Sequence, residues 1–464
     1  MNKVWLLLFI VLTIATVNVI SKPKQYTYYL HIPPGSDNCY LWIIGWYDNT
    51  AVEVYELTPE GEQKLLVSTI VNRMEVKIVY EFTPRESDGW FVKVMASARL
   101  GVLLDDRAST STLYPSLNGT FAGKEFIVYG VVYSATGSPG SLIYAYEDAK
   151  VTVYDDKGKK ILEFDLPQNK CRVLKSIGSP KPWHIVSTGR LLVGTWSENS
   201  YAFLVDCRGK FIGKHFAGIA HGGASFPTAI VVIPYEPAVV RVYDAVQGKL
   251  IAKREFTEAD IAVNNYWYLM FNRTIAIIRI ISTGNISVMC GGPQGEAPNS
   301  PLGDDFSIIG IPPSVETKIF MSARDFYSYA VLFIKEPANV TIDGFYELKM
   351  RSDEYVVLVN NEGLMDNFPT LRKMGRVLCI GPRIHTIVSN KPAILLLYQI
   401  GGAWDDWGNY LMAIEDVELD LGPPKPGKGL GEGGGAINYT LYIIIGIVLI
   451  AIVFTLLLWC KKCS

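Results

Sequence analysis

The chain has 464 residues, enough to bury a large core, and its formal net charge of −2 excludes the strongly basic class of nucleic-acid-binding proteins. Charged residues make up 19% of the chain and aromatic residues 12%, with Tyr, Val, Ile and Thr in short runs that are typical of β-strands. The composition favours a β-rich globular protein with no nucleic-acid partner.

The first 21 residues have the pattern of a secretory signal peptide. Lys3 makes the start positive, an apolar stretch runs from Val4 to Ile20, and the small residue Ser21 follows. We expect cleavage after Ser21. The alternative is an uncleaved signal anchor, which has the same pattern.

A second apolar stretch, Tyr439–Trp459, has no charged residue and is long enough to cross a hydrocarbon core of about 30 Å as a helix. Lys461 and Lys462 follow it, and the positive-inside rule places them in the cytoplasm. A buried core helix is the alternative, but such a helix rarely stays apolar on every face over this length. We predict a single-pass protein of the plasma membrane, anchored in the lipid bilayer by residues 439–459, with residues 460–464 as a cytoplasmic tail.

The segment 421–438 joins the predicted body to the predicted membrane helix. Its first part, Leu421–Gly435, is rich in Gly and Pro, and such a sequence forms a flexible stalk because it cannot pack. The extracellular body therefore spans residues 22–420.

Two sequence patterns recur along the body. The first alternates apolar and polar residues, as a β-strand does, and ends in a turn signal. Its four copies are Tyr47–Glu62, Tyr146–Lys159, Tyr235–Lys249 and, in weaker form, Lys335–Lys349. The central valines of these copies are Val52, Val151, Val240 and Val340. A period of roughly 90–100 residues predicts a repeat architecture.

The second pattern follows the first each time, as a short polar segment between two apolar strands. Its copies are Phe91–Asp105, Trp183–Trp196, Ile278–Gly292 and His385–Gln399, and the first of them keeps Ser97. We predict a tight turn at the polar segment, with Gly189 at positive φ and Ser187 bonded to the backbone two residues on. Ser282 and Ser389 have the same structural role, because no serine here lies in a nucleophile elbow.

Each repeat contains about seven or eight strand-like runs and no convincing amphipathic helix, so the predicted fold class is all-β. The four tandem repeats span residues 26–110, 111–210, 220–298 and 302–420, about 95 residues each. Two arrangements fit, a β-propeller of four-stranded blades or tandem Ig-like β-sandwiches. The lack of Pro/Gly linkers between the repeats favours the closed propeller.

The repeats resemble those of the IgGFc-binding protein N-terminal domain family, which occurs on secreted or surface proteins of animals and prokaryotes. The resemblance lies in Val340–Asp343 (VTID) with Ile387–Gln399 (IVSNKPAILLLYQ), and in Val151–Asp156 with Ile185–Gly194. It covers most of residues 25–420 and implies surface adhesion or ligand binding. Nothing in the chain resembles the Cys-rich modules that accompany this domain in mucus proteins, and immunoglobulin binding is not carried over.

Exported chains acquire disulfides and glycans. Five of the seven cysteines lie in the predicted exterior, an odd number that leaves at least one outside intrachain disulfides. Five N-x-S/T sequons are candidate glycosylation sites: Asn118, Asn272, Asn285, Asn339 and Asn438.

Residues with catalytic or metal-binding chemistry are few. His215 and His221 flank a Gly-rich segment, for which we predict a loop role because two such histidines without a nearby carboxylate are a weak metal signal. We predict no catalytic residue, no cofactor and no metal site.

One acidic pair stands out because it lies between two tryptophans. Asp405 and Asp406 are flanked by Trp404 and Trp407, and carboxylates beside aromatic rings are suited to sugar or calcium. We take these four residues as a candidate ligand-contact loop. The alternative is a solvated loop whose tryptophans pack on the body.

The sequence thus predicts a non-enzymatic, membrane-anchored cell-surface protein whose extracellular β-repeat body binds a protein or glycan ligand through loops on a rigid scaffold. One alternative is an exported carbohydrate-active enzyme on a propeller. Another is a structural component of a cell-envelope lattice, which an exposed apolar edge would favour.

Overall fold

The computed structural model describes residues 25–32, 39–85, 89–105, 110–113, 116–117, 122–129, 140–175, 182–197, 202–204, 206, 210–221, 228–245, 249–271, 275–290, 307–321, 327–334, 336–351, 354–363, 376–401, 405–406 and 410–411. The chain divides into two compact units, 1–423 and 424–464, and every described residue lies in the first. The predicted signal peptide 1–21, stalk 421–438 and membrane helix 439–459 lie outside the described residues. Within the described ranges, no helix is long and apolar enough to span a membrane.

The described residues form an almost entirely β structure with one short helix, in four repeats. Repeat 1 contains β1 (Tyr26–Ile32), β2 (Cys39–Gly45), β3 (Thr50–Leu57), β4 (Gln63–Val71), β5 (Val76–Phe82), β6 (Trp90–Ala96) and β7 (Leu100–Asp105). Repeat 2 contains β8 (Thr110–Leu113), β9 (Ala122–Tyr129), β10 (Gly140–Ala145), β11 (Ala149–Tyr154), β12 (Lys160–Leu166), β13 (Cys171–Lys175) and β14 (Pro182–Ser197).

Repeat 3 contains β15 (Ala202–Phe203), β16 (Ile212–His221), β17 (Thr228–Pro234), β18 (Ala238–Asp244), β19 (Leu250–Phe256), the helix α1 (Glu258–Ala262), β20 (Trp267–Phe271) and β21 (Ile275–Cys290). Repeat 4 contains β22 (Ser307–Ile311), β23 (Thr317–Phe320), β24 (Tyr327–Ile334), β25 (Ala338–Ile342), β26 (Tyr346–Met350), β27 (Glu354–Val359), β28 (Val377–Cys379), β29 (Ile384–Ser389) and β30 (Ala393–Gly401). Two short strands follow, β31 (Asp405–Asp406) and β32 (Tyr410–Leu411).

Strand pairing within a repeat is nested. In repeat 1, β3 pairs with β4, β2 with β5, and β1 with β6, all antiparallel. Because β6 also pairs with β3, and β7 with β2, the strands form two sheets, β1-β6-β3-β4 and β7-β2-β5. Repeat 4 likewise has two sheets, β22-β30-β24-β27-β28 and β23-β29-β25-β26.

In repeats 2 and 3 the two sheets are joined into one curled sheet of seven strands. The strand order is β12-β11-β14-β10-β13 in repeat 2 and β19-β18-β21-β17-β20 in repeat 3. The long strands β14 and β21 join the two halves, since each also pairs with the strands that precede it, β8 and β9 or β15 and β16. The strands of repeat 3 therefore begin at residue 202, ahead of the boundary at 220 that the sequence predicts.

A strand from the end of the chain completes the first repeat. β8, β15 and β22 each pair with the last strand of the repeat that they open, which is β14, β21 or β30. In repeat 1 this position beside β7 is taken by β32, with Tyr410 opposite Leu103 and Leu411 opposite Val102. The chain thus closes on itself through backbone pairing.

The first recurring pattern forms the central strand of each repeat. β3, β11, β18 and β25 alternate buried with partly or fully exposed residues, as the period-two pattern predicts. The central valines Val52, Val151, Val240 and Val340 are at most 1% exposed. Alternation in the sequence therefore located the inward face of each repeat.

Hydrophobic contacts join the repeats in a closed cycle. Tyr29 and Phe91 of repeat 1 pack with Tyr144 of repeat 2, with ring centroids 5.4 and 4.9 Å from that of Tyr144. One continuous cluster of buried residues then runs through repeats 2, 3 and 4.

Repeat 4 also packs against repeat 1. Ile44 and Leu103 of repeat 1 share a buried cluster with strands β22 to β30. Arg73 Nη2 lies 3.0 Å from Glu316 Oε1 across the same junction, where both side chains are well exposed, so that this pair adds little stability. Apolar burial therefore contributes more to this junction than the ion pair does.

The second recurring pattern forms a bend, and the tight turn that the sequence predicts there does not occur in repeats 2 and 3. β14 and β21 run unbroken through the polar segment for 16 residues. In repeats 1 and 4 the strands on either side of the segment, β6 and β7 or β29 and β30, belong to different sheets. In repeats 1 and 4 the chain therefore passes from one sheet to the other at this corner.

The corner serines have the predicted local hydrogen bond. Each donates from Oγ to the carbonyl oxygen two residues on: Ser187 to Gly189 at 2.7 Å, Ser282 to Gly284 at 2.6 Å and Ser389 to Lys391 at 2.6 Å. The bond satisfies two polar groups at a buried bend, which supports a structural role for these serines.

The next residue along the chain is hydrogen-bonded to the central strand of its repeat. Its side-chain oxygen accepts a backbone N–H bond in all four repeats: Ser97 from Ala51 at 2.9 Å, Thr188 from Lys150 at 2.9 Å, Thr283 from Val239 at 2.8 Å and Asn390 from Asn339 at 2.8 Å. Ser97 thus corresponds to Thr188, and Ala96 takes the place of Ser187.

The corner glycines are selected by crowding. Gly189 and Gly284 are not among the described glycines at positive φ, which are Gly61, Gly89, Gly158, Gly344 and Gly381, so the predicted conformation is wrong. A Cβ on Gly189 would lie 2.3 Å from the carbonyl oxygen of Asp148, and one on Gly284 would lie 2.6 Å from that of Pro237. Close approach of the preceding loop leaves no room for a side chain.

Candidate functional site

The predicted ligand-contact loop is described in its backbone alone. Asp405 and Asp406 form β31, which pairs with Gly401 and Ile400 of β30. Trp404 and Trp407, like the side chains of the acidic pair, lie outside the described part, so the loop stays a prediction.

Two of the five sequons lie in the described residues. Asn339 is exposed at the start of the central strand of repeat 4, and Asn285 is half-buried at the corner of repeat 3. The backbone N–H of Asn285 donates to Glu236 Oε1 at 2.6 Å. Asn118, Asn272 and Asn438 lie outside the described residues.

The histidines of the Gly-rich segment do not lie in a loop. His215 and His221 are both part of β16, so the predicted loop role is wrong. His215 is opposite Ile281 and His221 is opposite Ile275 in the pairing of β16 with β21. No cluster of three or more metal-ligating side chains occurs among the residues that the structure describes.

A buried histidine in repeat 4 serves the hairpin of β25 and β26. His385 is fully buried, with Nδ1 2.8 Å from Asp343 Oδ2 and Nε2 2.8 Å from the carbonyl oxygen of Gly381. Burial opposes ionisation of Asp343, but hydrogen bonds from His385, the Thr386 N–H and Arg383 outweigh it and lower the pKa of Asp343.

A cleft of about 460 Å³ lies between repeats 2 and 3, and we call it the repeat 2–3 cleft. Repeat 2 contributes Leu117, Glu125, Ile127, Tyr154, Gly158, His184 and Val186, and repeat 3 contributes Pro234, Tyr235, Ile261, Ala262 and Asn264. Its size lies within the range of small-molecule sites.

The floor of the cleft is the outward face of two paired strands. Glu125 and Ile127 on β9 lie opposite Val186 and His184 on β14. Because neighbouring residues of a strand point to opposite faces, the intervening Phe126 turns into the core, where it is fully buried. The period of these strands therefore aims a carboxylate and an imidazole at the cleft.

Glu125 and His184 form a hydrogen-bonded pair on this floor. Glu125 Oε1 lies 2.7 Å from His184 Nε2, and both side chains are part-exposed to the cleft. Tyr154 on β11 lies opposite His184 in the strand register, with ring centroids 5.9 Å apart. The three side chains form one amphipathic surface, aromatic at one end and charged at the other.

The opposite wall comes from the connection between β19 and β20, which contains the helix α1. Thr257 and Asp260 cap the helix reciprocally, with Thr257 N–H donating to Asp260 Oδ2 at 2.7 Å. Asn265 Nδ2 donates to Asp260 Oδ1 at 2.6 Å. Backbone hydrogen bonding from Thr257, with the side-chain bonds from Thr257 and Asn265, lowers the pKa of Asp260 to about 2. These bonds fix the wall in place.

The wall is also tied to repeat 2. Asn264 Nδ2 donates to the carbonyl oxygen of Asp155 at 3.4 Å, which joins the end of α1 to the hairpin of β11 and β12. Below it, the Tyr235 hydroxyl lies 3.1 Å from Ser287 Oγ. Burial raises the pKa of Tyr235, and the nearby charge of Glu125 raises it further, so the hydroxyl stays protonated.

The polar groups of the cleft are suited to binding. Glu125 is the only carboxylate among the described lining residues. Most glycoside hydrolases use a pair of carboxylates, and a metal site needs a cluster of ligands, so this lining matches neither pattern. A carboxylate, an imidazole, an amide and two phenol rings on an apolar floor can bind a small polar ligand by hydrogen bonds and ring contact.

Comparisons with known proteins do not assign a family. No protein-family model matches the chain, and no curated protein matches it. Among solved structures, a β-glucuronidase from Ruminococcus gnavus in complex with D-glucuronic acid is similar over 55% of this chain and 45% of that chain, with 12% identity and a TM-score of 0.11. The structure of infectious bursal disease virus Gt strain is similar over 91% and 88%, with 7% identity and a TM-score of 0.09. Scores this low carry no argument about fold or function.

The fold and the site together define a class of protein, an all-β chain of four repeats that close in a cycle, with a cleft between the second and third.

Proposed function

We propose that this chain is a non-enzymatic, membrane-anchored cell-surface protein whose extracellular β-repeat body binds a ligand. The observation that carries the proposal is the repeat 2–3 cleft, which lies on a scaffold where every repeat is packed against two others. A rigid scaffold that presents a preformed cleft favours binding, because little ordering is needed on contact. The apolar ends of the sequence supply the export signal and the anchor in the plasma membrane.

We further propose that each repeat is a β-sandwich, whose two halves are separate sheets in repeats 1 and 4 and are joined into one curled sheet in repeats 2 and 3. A propeller blade is a four-stranded sheet of consecutive strands, whereas here β1 pairs with β6 and β2 with β5. The closed cycle of repeats nevertheless resembles the closed body that the sequence favours. The repeat-level resemblance to the IgGFc-binding protein N-terminal domain family stays a prediction, and it points to the same surface role.

The topology can be tested by protease treatment of intact cells. We expect added protease to remove the body and leave the Tyr439–Ser464 fragment protected, because the membrane covers the helix and Gly/Pro stalks are readily cut. Permeabilised cells are the control. A body that survives in intact cells and is digested in permeabilised cells would place it inside and overturn the proposal.

Assembly into a cell-envelope lattice is the second candidate, and an exposed apolar edge in repeat 1 favours it. β4 is the last strand of its sheet and exposes Leu65 and Ile70, which are 51% and 56% accessible. The strands at the same place in the other repeats are β12, β19 and β26, and each carries acidic and basic residues. Charges protect sheet edges from pairing, and β4 has Lys64 alone.

Charge at the β4 edge should prevent such assembly. If two copies pair through β4, Ile70→Lys should convert the assembly into monomers, because a charged side chain on a sheet edge opposes edge-to-edge pairing. Ile251→Lys on the already charged β19 is the matched control. Light scattering of the full chain in detergent measures the mass, and a wild-type monomer would rule this candidate out.

A further inference from the structure

We propose that the repeat 2–3 cleft binds a terminal sugar ring of a glycan without cleaving it. The inference rests on the proposed surface-binding function and names the ligand class of its cleft. It is carried by a departure from the repeat symmetry, by the amphipathic lining, and by the balance of charge on the floor.

The cleft exists because repeat 3 departs from the other repeats at one connection. The strands equivalent to β19 and β20 are joined by residues 72–75, 167–170 and 351–353 in the other repeats. In repeat 3 the connection runs from 257 to 266 and folds as α1 with a reciprocal cap. Packing of the repeats does not need this insertion, because the short connections suffice elsewhere. The insertion builds a wall over the outward face of repeat 2.

The lining combines apolar and hydrogen-bonding groups, as a sugar ring does. Such a ring presents flat patches of C–H groups and a rim of hydroxyls that both donate and accept hydrogen bonds. Tyr154 offers an aromatic face, and Ile127 and Val186 offer an apolar floor. Glu125 and His184 lie on the same floor, opposite Val186 and Ile127 in the strand register, where rim hydroxyls can reach them.

Both members of the Glu125–His184 pair have a polar atom that is still available to a ligand. The bond between Glu125 Oε1 and His184 Nε2 leaves Glu125 Oε2 and His184 Nδ1 without a protein partner in the described part of the chain. A carboxylate oxygen accepts a hydrogen bond, and the second imidazole nitrogen donates or accepts according to its protonation. A hydroxyl satisfies either state, because it both donates and accepts.

The charge on the floor favours a neutral ligand over an ionic one. An anionic ligand would face the Glu125 carboxylate directly. A cationic ligand would share that carboxylate with His184, whose Nε2 already binds one of its oxygens. A neutral, hydroxylated ring can bond to Glu125 Oε2 and to His184 Nδ1 in either protonation state of the imidazole.

Saturation-transfer NMR on the full chain in detergent micelles tests the inference. The probes are the methyl glycosides of glucose, galactose, mannose and N-acetylglucosamine, with tetramethylammonium as the cationic comparison. We expect saturation transfer to at least one glycoside, and a loss of affinity of about tenfold in Tyr154→Leu. Glu125→Gln should weaken binding of the same glycoside, because it replaces a carboxylate acceptor by an amide and keeps the shape of the side chain.

The matched control is Tyr243→Leu. Tyr243 holds the place in β18 that Tyr154 holds in β11, opposite Arg279 as Tyr154 is opposite His184, but it does not line the cleft. The Tyr243→Leu variant should therefore bind the glycoside as the wild type does. Saturation transfer to tetramethylammonium alone, to no probe, or equally to wild type and Tyr154→Leu would overturn the inference. None of these results would change the outcome of the protease test, so the surface location is tested independently of the ligand.

Discussion

Leu103→Ala is expected to lower the free energy of unfolding by about 3 kcal/mol, as truncation of a buried leucine does. Leu103 belongs to repeat 1 by sequence, but its side chain is 3% exposed because it packs in the cluster that repeat 4 shares with Ile44. A first repeat that stood apart would expose this side chain. The substitution therefore measures the contact that closes the cycle.

Guanidinium unfolding of the full chain in detergent, followed by tryptophan fluorescence, gives the free energies. Leu65→Ala is the control, since Leu65 is 51% exposed and its truncation should cost less than about 0.5 kcal/mol. Equal unfolding midpoints for the two variants would show that repeats 1 and 4 do not pack together in solution.

Closure by β32 gives this junction a second support. Leu103 is opposite Tyr410 in the strand register, so the backbone of β7 is paired by β32 at the residue whose side chain contacts repeat 4. Backbone pairing and apolar burial thus act on the same strand. β32 is the last described strand before the predicted stalk, which begins at residue 421.

The repeat and its inward faces could be predicted from the sequence because both depend on local pattern. Alternation placed Val52 and Val151 in the core, and the spacing of the copies gave the period. The tight turn was predicted wrongly because a strand, a polar segment and another strand have the same local pattern for a sharp turn and for a strand that continues through a bend. The difference depends on partners distant in sequence, since the halves of β14 pair with β11 and β10.

The cleft escaped sequence reasoning for a related reason. Glu125 and His184 are 59 residues apart and meet through the register of β9 and β14, which no local pattern reveals. One signal was available. Thr257 and Asp260 have the spacing of a capping box, in a connection longer than its counterparts in the other repeats. The longer connection of repeat 3 could therefore be recognised in the sequence, although the face of repeat 2 that it covers could not.

Gly189→Val is expected to destabilise the body by about 3 kcal/mol, at the upper end of the cost of overpacking. The new Cβ would lie 2.3 Å from the Asp148 carbonyl oxygen, and backbone cannot yield as a flexible side chain does. Gly284→Val should cost somewhat less, because its nearest backbone oxygen, that of Pro237, is 2.6 Å away. Both are read from the same guanidinium titration.

Two further substitutions separate the effect of crowding at Gly189 from the effects of the serine hydrogen bond and of the corner itself. Ser187→Ala should cost about 1 kcal/mol, because it removes one local hydrogen bond to the Gly189 carbonyl oxygen. Ala98→Gly should be nearly neutral or slightly destabilising, since Ala98 takes the place of Gly189 in repeat 1 and shows that the corner itself accepts a Cβ. If Gly189→Val unfolds like wild type, the loop at Asp148 moves freely and crowding did not select the glycine. If Ser187→Ala abolishes glycoside binding with an unchanged midpoint, the corner serine belongs to the ligand site and its structural role is wrong.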